Sequence, residues 1–162
     1  MKNNLVKMIA RTFVLAVFTM IASSAMLAQA NKGGGRLVGT WDAEVTIRNC
    51  VTGGFITEFP SIASFNQGGT SIGSTAGMPQ AARTPEHGIW RHVAGNSYIF
   101  KFKTFSFDPS GVARGYSIVT HTIELDQTGD TYTSAGTVQH YLMDGTPSGQ
   151  GCSDAVGTRM VF

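Results

Sequence analysis

After its first thirty residues the sequence has no further long apolar run, so nothing there reads as a membrane-spanning helix. No segment shows convincing helical periodicity, which argues against helical bundles and against α/β folds. No domain-sized linker or close internal repeat divides it, so a single domain is expected. Cysteine is scarce, with two residues and no third. There is no Cys-x-x-Cys pair for a structural metal and no Cys-x-x-Cys-His for covalent haem attachment. There is also no His-x-His and no acidic cluster, so no metal site is expected.

What is present begins with a basic start, Lys2, Lys7 and Arg11, followed by the apolar run Thr12–Leu27 and the small residues Ala28–Ala30. This pattern predicts a secretory signal peptide over 1–30. The alternative, a membrane anchor, needs a longer span, and no Cys stands at the cleavage site to carry a lipid. A Gly-rich leader over 31–35 and one domain over 36–162 are expected to follow. The signal takes three of the twelve basic residues and no acids, leaving nine basic against ten acidic. The apparent net charge of +2 becomes −1. No electrostatic case then remains for nucleic acid or for an anionic membrane. The expected location is outside the cytoplasm, periplasmic or secreted, where two cysteines suggest one disulfide. Two buried free thiols are the alternative.

The folded part opens on Leu37–Ile47, LVGTWDAEVTI, with apolar residues in alternation. Period two with one apolar face predicts a half-buried strand and turns Trp41 inward. Similar short runs follow, separated by Gly, Pro, Asp and Asn. Phe55–Phe65 and Thr70–Gly77 read as strands, with a bulge or an edge at Pro60. Met78–Gly88 reads as a loop, Ile89–Val93 as a strand of unassigned face, and Ala155–Phe162 as the last strand.

Two turns test the register of the central strands. Around Asp108–Gly111, pairing Phe107 with Val112 puts Phe102 opposite Ser117, Phe100 opposite Val119 and Tyr98 opposite His121. Around Gln127–Asp130, pairing Asp126 with Thr131 puts Leu125 opposite Tyr132, Ile123 opposite Ser134, His121 opposite Gly136 and Ser117 opposite His140. Opposed residues share a face. Both hairpins turn the same face inward, while Thr120, Thr122, Glu124, Thr133, Thr137 and Gln139 form a wet outer face.

About eight strands result, the number at which a closed antiparallel barrel can hold one small ligand. The fold class is thus all-β, a single up-and-down barrel with no C-terminal helix. In such a barrel the first and last strands meet. Cys50 follows the first strand and Cys152 is placed just before the last, so a bridge between them would staple the seam.

The GTW triplet, Gly39–Trp41, resembles the Gly-x-Trp signature of the lipocalins and the wider calycin group. The resemblance implies that Trp41 plugs the closed end of the barrel and that a basic residue of the last strand, here Arg159, packs over its ring. PEHGIW, Pro85–Trp90, taken with GTW and the two cysteines, is similar to a group of exported, lipocalin-like bacterial proteins of unknown function.

Candidate chemistry is sparse. GTSIG, Gly69–Gly73, matches Gly-x-Ser-x-Gly, but a nucleophile elbow needs a helix after the serine. A Gly- and Ser-rich strand is the preferred reading. His121 and His140 share the inner face about four residues apart, roughly 13 Å of rise and too far for one metal ion. A single inward His could ligate a haem, with Gly136 leaving space beside His121. A core histidine with satisfied hydrogen bonds is the preferred alternative, and no cofactor is predicted.

The inner face offers Tyr98, Phe100, Phe102, His121, Tyr132, Ser134 and His140, together with Val119, Ile123, Val138 and Leu142. It suits an apolar or amphipathic ligand oriented by His121, Tyr132 or His140. It also suits a filled barrel serving a structural or interaction role. A barrel isomerase or cyclase acting on a lipid-like substrate is the third reading, disfavoured because no carboxylate is expected inside. Outside, Tyr116 and Tyr141 are expected cross-strand partners and could mark a homodimer patch.

Overall fold

The computed structural model describes residues 34–162, and the expected signal peptide lies outside them. Eight antiparallel strands close into one up-and-down barrel: β1 (Gly39–Arg48), β2 (Phe55–Phe65), β3 (Thr70–Thr75), β4 (Glu86–Ala94), β5 (Ser97–Phe107), β6 (Ala113–Leu125), β7 (Thr131–Leu142) and β8 (Pro147–Arg159). Each strand pairs with its chain neighbours, and β8 closes the ring against β1, from Trp41 opposite Arg159 to Arg48 opposite Cys152. No α-helix follows β8.

Alternation builds the interior. In β6, Val119, His121, Ile123 and Leu125 are buried while Thr120, Thr122 and Glu124 are exposed. The β6–β7 register matches the expected one throughout, with His121 opposite Gly136 and Ser117 opposite His140. The β5–β6 register does not. Phe102 faces Val119, Phe100 faces His121 and Tyr98 faces Ile123, two residues from the expected partners. The turn accounts for the shift. Asp108 closes on Val112 around Gly111, which takes φ +81, and a bulge follows between Ser106 and Phe107. A slip of two keeps every side chain on its face, so the inward set survives the wrong pairing.

Three other expectations need correction. β4 starts at Glu86, inside the stretch read as a loop, and turns Glu86, Gly88, Trp90 and His92 inward. β8 starts at Pro147, eight residues before the expected Ala155, so Cys152 lies within it. The β1–β2 irregularity falls between Ile47 and Arg48, which pair with Thr57 and Phe55. Pro60 pairs regularly with Glu44 and stands one residue outside the β2–β3 ladder, so it is an edge position on that side and not a bulge. Polar, Gly-rich segments explain the first two misses, because they carry no alternation to read.

One end of the barrel is plugged. A 3-10 turn at Gly35–Leu37 tucks Leu37 into a cluster with Trp41, Phe65, Tyr98, Ile123, Leu125 and Tyr132. The Trp41 indole N–H donates to the Leu37 carbonyl at 3.0 Å, and Tyr132 meets the Trp41 ring edge-on at 5.0 Å. The Arg159 guanidinium lies 4.3 Å from the Trp41 ring centroid. Arg36 covers the same end, donating to Asn96 at 2.7 Å and to the Gln127 carbonyl at 2.7 Å.

The opposite end carries the Cys50–Cys152 disulfide, with a Cα–Cα distance of 5.2 Å across 102 residues of chain. Tyr116 and Tyr141 stack at 4.9 Å on the outer face, with the Lys103 ammonium 3.7 Å from the Tyr116 ring centroid.

Candidate functional site

Above the plugged end the interior is hollow. A cavity of about 650 Å³ runs from Tyr132 and Ala43 toward the disulfide end, where Val51, Ile56 and Met78 line it. That volume lies within the range of small-molecule sites. Short inward residues, Val45, Ser61, Ser117, Gly151 and Ala155 among them, leave this space above a plugged end that is filled by rings.

Phe100, Phe102, His121, Tyr132, Ser134 and His140 all line the cavity. Tyr98 does not. It is fully buried in the plug, beside Trp90 and His92 at 5.9 and 5.1 Å between ring centroids. Leu142, expected inside, is exposed at the end of β7. Trp41 and Arg159 form the floor structure rather than the cavity wall.

His121 is held on both sides. Its Nδ1 lies 3.0 Å from Ser134 Oγ and its Nε2 lies 2.8 Å from Ser153 Oγ. A neutral imidazole donates through one nitrogen and accepts through the other, so the two hydroxyls take opposite roles. Burial pushes the His121 pKa down to about 4, against a smaller opposing pull from Asp154. The imidazole is therefore neutral at physiological pH. The room expected beside Gly136 is filled by this ring, since a Cβ there would stand 2.4 Å from His121 Cδ2. An iron ion at His121 would have to displace one of the serines. His140 sits at the exposed end, its Nδ1 2.8 Å from Ser117 Oγ. Among the described residues no group of three His, Cys, Asp or Glu side chains is placed to hold a metal ion.

The sequence reading missed the charged part of the site. Glu86, 7 % exposed, projects inward from the first residue of β4. It is paired with Arg83, whose Nη2 donates to Glu86 Oε1 at 2.8 Å. Burial raises the Glu86 pKa, and the Arg83 charge opposes that rise. Tyr132 is pushed up to about 12 by burial and, secondarily, by the Glu86 carboxylate. Glu86, Arg83 and Tyr132 all line the cavity. The one available clue was the i, i+3 spacing of Arg83 and Glu86, which does not say which way either points.

Ser71, centre of the GTSIG motif, is buried with no hydrogen-bond partner for its hydroxyl. It is the second residue of β3, opposite Gly88, outside the cavity lining and followed by strand rather than by an α-helix. It has none of the surroundings of a nucleophile.

No protein-family model matches the chain, and no curated protein matches it.

Proposed function

We propose that this chain is an exported, lipocalin-like barrel that holds one small apolar or amphipathic molecule in its interior. The observation that carries this reading is the cavity itself, closed at one end by the Trp41 cluster and lined mainly by apolar side chains. A barrel serving only as a structural element has no need of such a space, and interiors are ordinarily packed to crystal density. Burial of ligand surface against Phe100, Phe102 and Val119 would supply the affinity, at about 25 cal/mol per Å² of apolar area. Export is supported by the signal-peptide pattern of the first thirty residues and is compatible with the disulfide.

The test is titration with Nile red, a neutral dye that brightens in apolar surroundings, on the wild type and on Val138→Trp. Val138 lines the cavity between Val119 and Gly151, and an indole there would take up part of it. Saturable one-to-one binding, weakened by the substitution in a folded protein, supports the reading. Absence of binding, or an affinity that the substitution leaves unchanged, rejects it.

One observation favours a second reading, the isomerase or cyclase. A buried carboxylate, Glu86, does line the cavity with a phenol, Tyr132, in its field. That pairing can move a proton between two positions of a bound substrate. Recovering a bound lipid-like molecule as an isomer of what was supplied would decide for it, and recovery unchanged would decide against it.

A further inference from the structure

Arg83 lines the cavity with its guanidinium 6.0 Å from the Phe102 ring centroid, and its placement is built. The loop between β3 and β4 returns along β5, where Arg83 forms a single bridge with Ser106 and the Thr84 N–H donates to the Phe105 carbonyl at 3.0 Å. The Arg83 Nε donates to Thr104 Oγ1 at 3.1 Å. The Thr104 hydroxyl donates in turn to the Thr84 carbonyl at 2.8 Å, which leaves its lone pairs for Arg83. The guanidinium is thereby fixed on its Nε and Nη2 sides. Its Nη1 has no protein acceptor among the described residues.

Glu86 is placed with equal care. Its Oε1 accepts from Arg83, and its Oε2 lies over Gly73, the residue opposite on β3. A Cβ at position 73 would stand 3.0 Å from that oxygen and 2.8 Å from the Ile62 carbonyl oxygen. The glycine makes room for the carboxylate. Arg83 and Glu86 thus stand together on the cavity lining as an ion pair that carries no net charge.

A charged ligand group gains little at such a pair. It meets one attractive and one repulsive charge, and the cost of removing it from water is not offset. A neutral group that both donates and accepts can satisfy both sides at a much smaller desolvation cost.

We propose that the Arg83–Glu86 pair is the polar pole of the binding cavity, and that it selects single-chain amphiphiles whose head is a hydroxyl or primary amide over the carboxylate of the same chain length. The inference rests on the binding reading above and names its ligand class.

The test is displacement of Nile red by decanol, decanamide and decanoate at mildly alkaline pH, on the full folded domain and on Glu86→Gln. For the wild type, decanol and decanamide should bind about tenfold or more tightly than decanoate, the difference expected of one charged hydrogen-bonding partner. In Glu86→Gln the Arg83 charge loses its counter-ion, and decanoate should become the preferred ligand. Decanoate binding as well as the others to the wild type overturns the proposal and leaves the binding reading standing. An unchanged ranking in Glu86→Gln overturns it as well. Should that variant not fold, the wild-type ranking decides alone. A protein that takes up neither Nile red nor any of the three overturns both readings together.

Discussion

Trp41 and Arg159 are register partners across the β1–β8 seam, and the guanidinium lies 4.3 Å from the indole centroid. The contact ties barrel closure to end closure. Arg159 also donates through Nε to the Gly129 carbonyl and through Nη1 to the Val38 carbonyl, each at 2.8 Å, and through Nη2 to the Arg36 carbonyl. One side chain thus binds the β6–β7 turn, the entry to β1 and the turn before it. Arg159→Met should lower stability by about 3 kcal/mol, from charged hydrogen bonds and the cation–π contact together. Arg159→Lys should recover only part of this, because an ammonium cannot span three carbonyls in the planar fork. Urea midpoints of the two variants check both statements.

Gly39, first residue of the GTW triplet, is glycine for two reasons that coincide. Its φ is +143, and a Cβ would stand 2.6 Å from Arg159 Nη1. Gly39→Ala should therefore cost about 2 kcal/mol through backbone strain and displacement of the arginine. In Arg159→Met the clash is gone and only the strain remains. The double variant should be less destabilised than the sum of the singles, which a double-mutant cycle measures.

His121 predicts a pH dependence of stability. Its folded pKa of about 4 lies below the ordinary value of 6.5. The unfolded chain therefore binds more protons between these two values. The contribution is fully present above pH 6.5, declines as pH falls, and levels off near pH 4, a loss of about 3 kcal/mol. Glu86, with its raised pKa, works in the opposite sense as the pH falls. The difference between wild type and His121→Gln isolates the histidine and should slope only within that window.

The disulfide closes a loop of 102 residues at the open end of the seam. On the chain-entropy model its removal should cost about 4–5 kcal/mol. Comparison of the Cys50→Ser, Cys152→Ser double variant with the oxidised wild type by urea denaturation gives the value directly.

The barrel was legible because its longest strands alternate cleanly. Lys101 and Lys103 define the outside of β5, and the threonines Thr120, Thr122, Thr133 and Thr137 define the outside of β6 and β7. The β5–β6 pairing lies two residues from the expected one because a three-residue turn with a bulge looks, in sequence, like a tighter one. Pro147–Asp154 carries no apolar alternation to mark it as strand, and its place is set by β1 and β7 on either side. The same holds for Glu86. PEHG has the composition of a loop, and only pairing with Gly73 and the path of the loop along β5 turn the carboxylate inward. The apolar half of the cavity could be read from local pattern, while its charged half arises from tertiary placement.

The central claim is that the hollow above Trp41 holds a molecule. Native mass spectrometry of the purified protein, before and after extraction with organic solvent, tests it. A discrete added mass, one per chain, that leaves on extraction and is diminished in Val138→Trp is expected. A bare chain mass, both as isolated and after incubation with neutral amphiphiles, would contradict it.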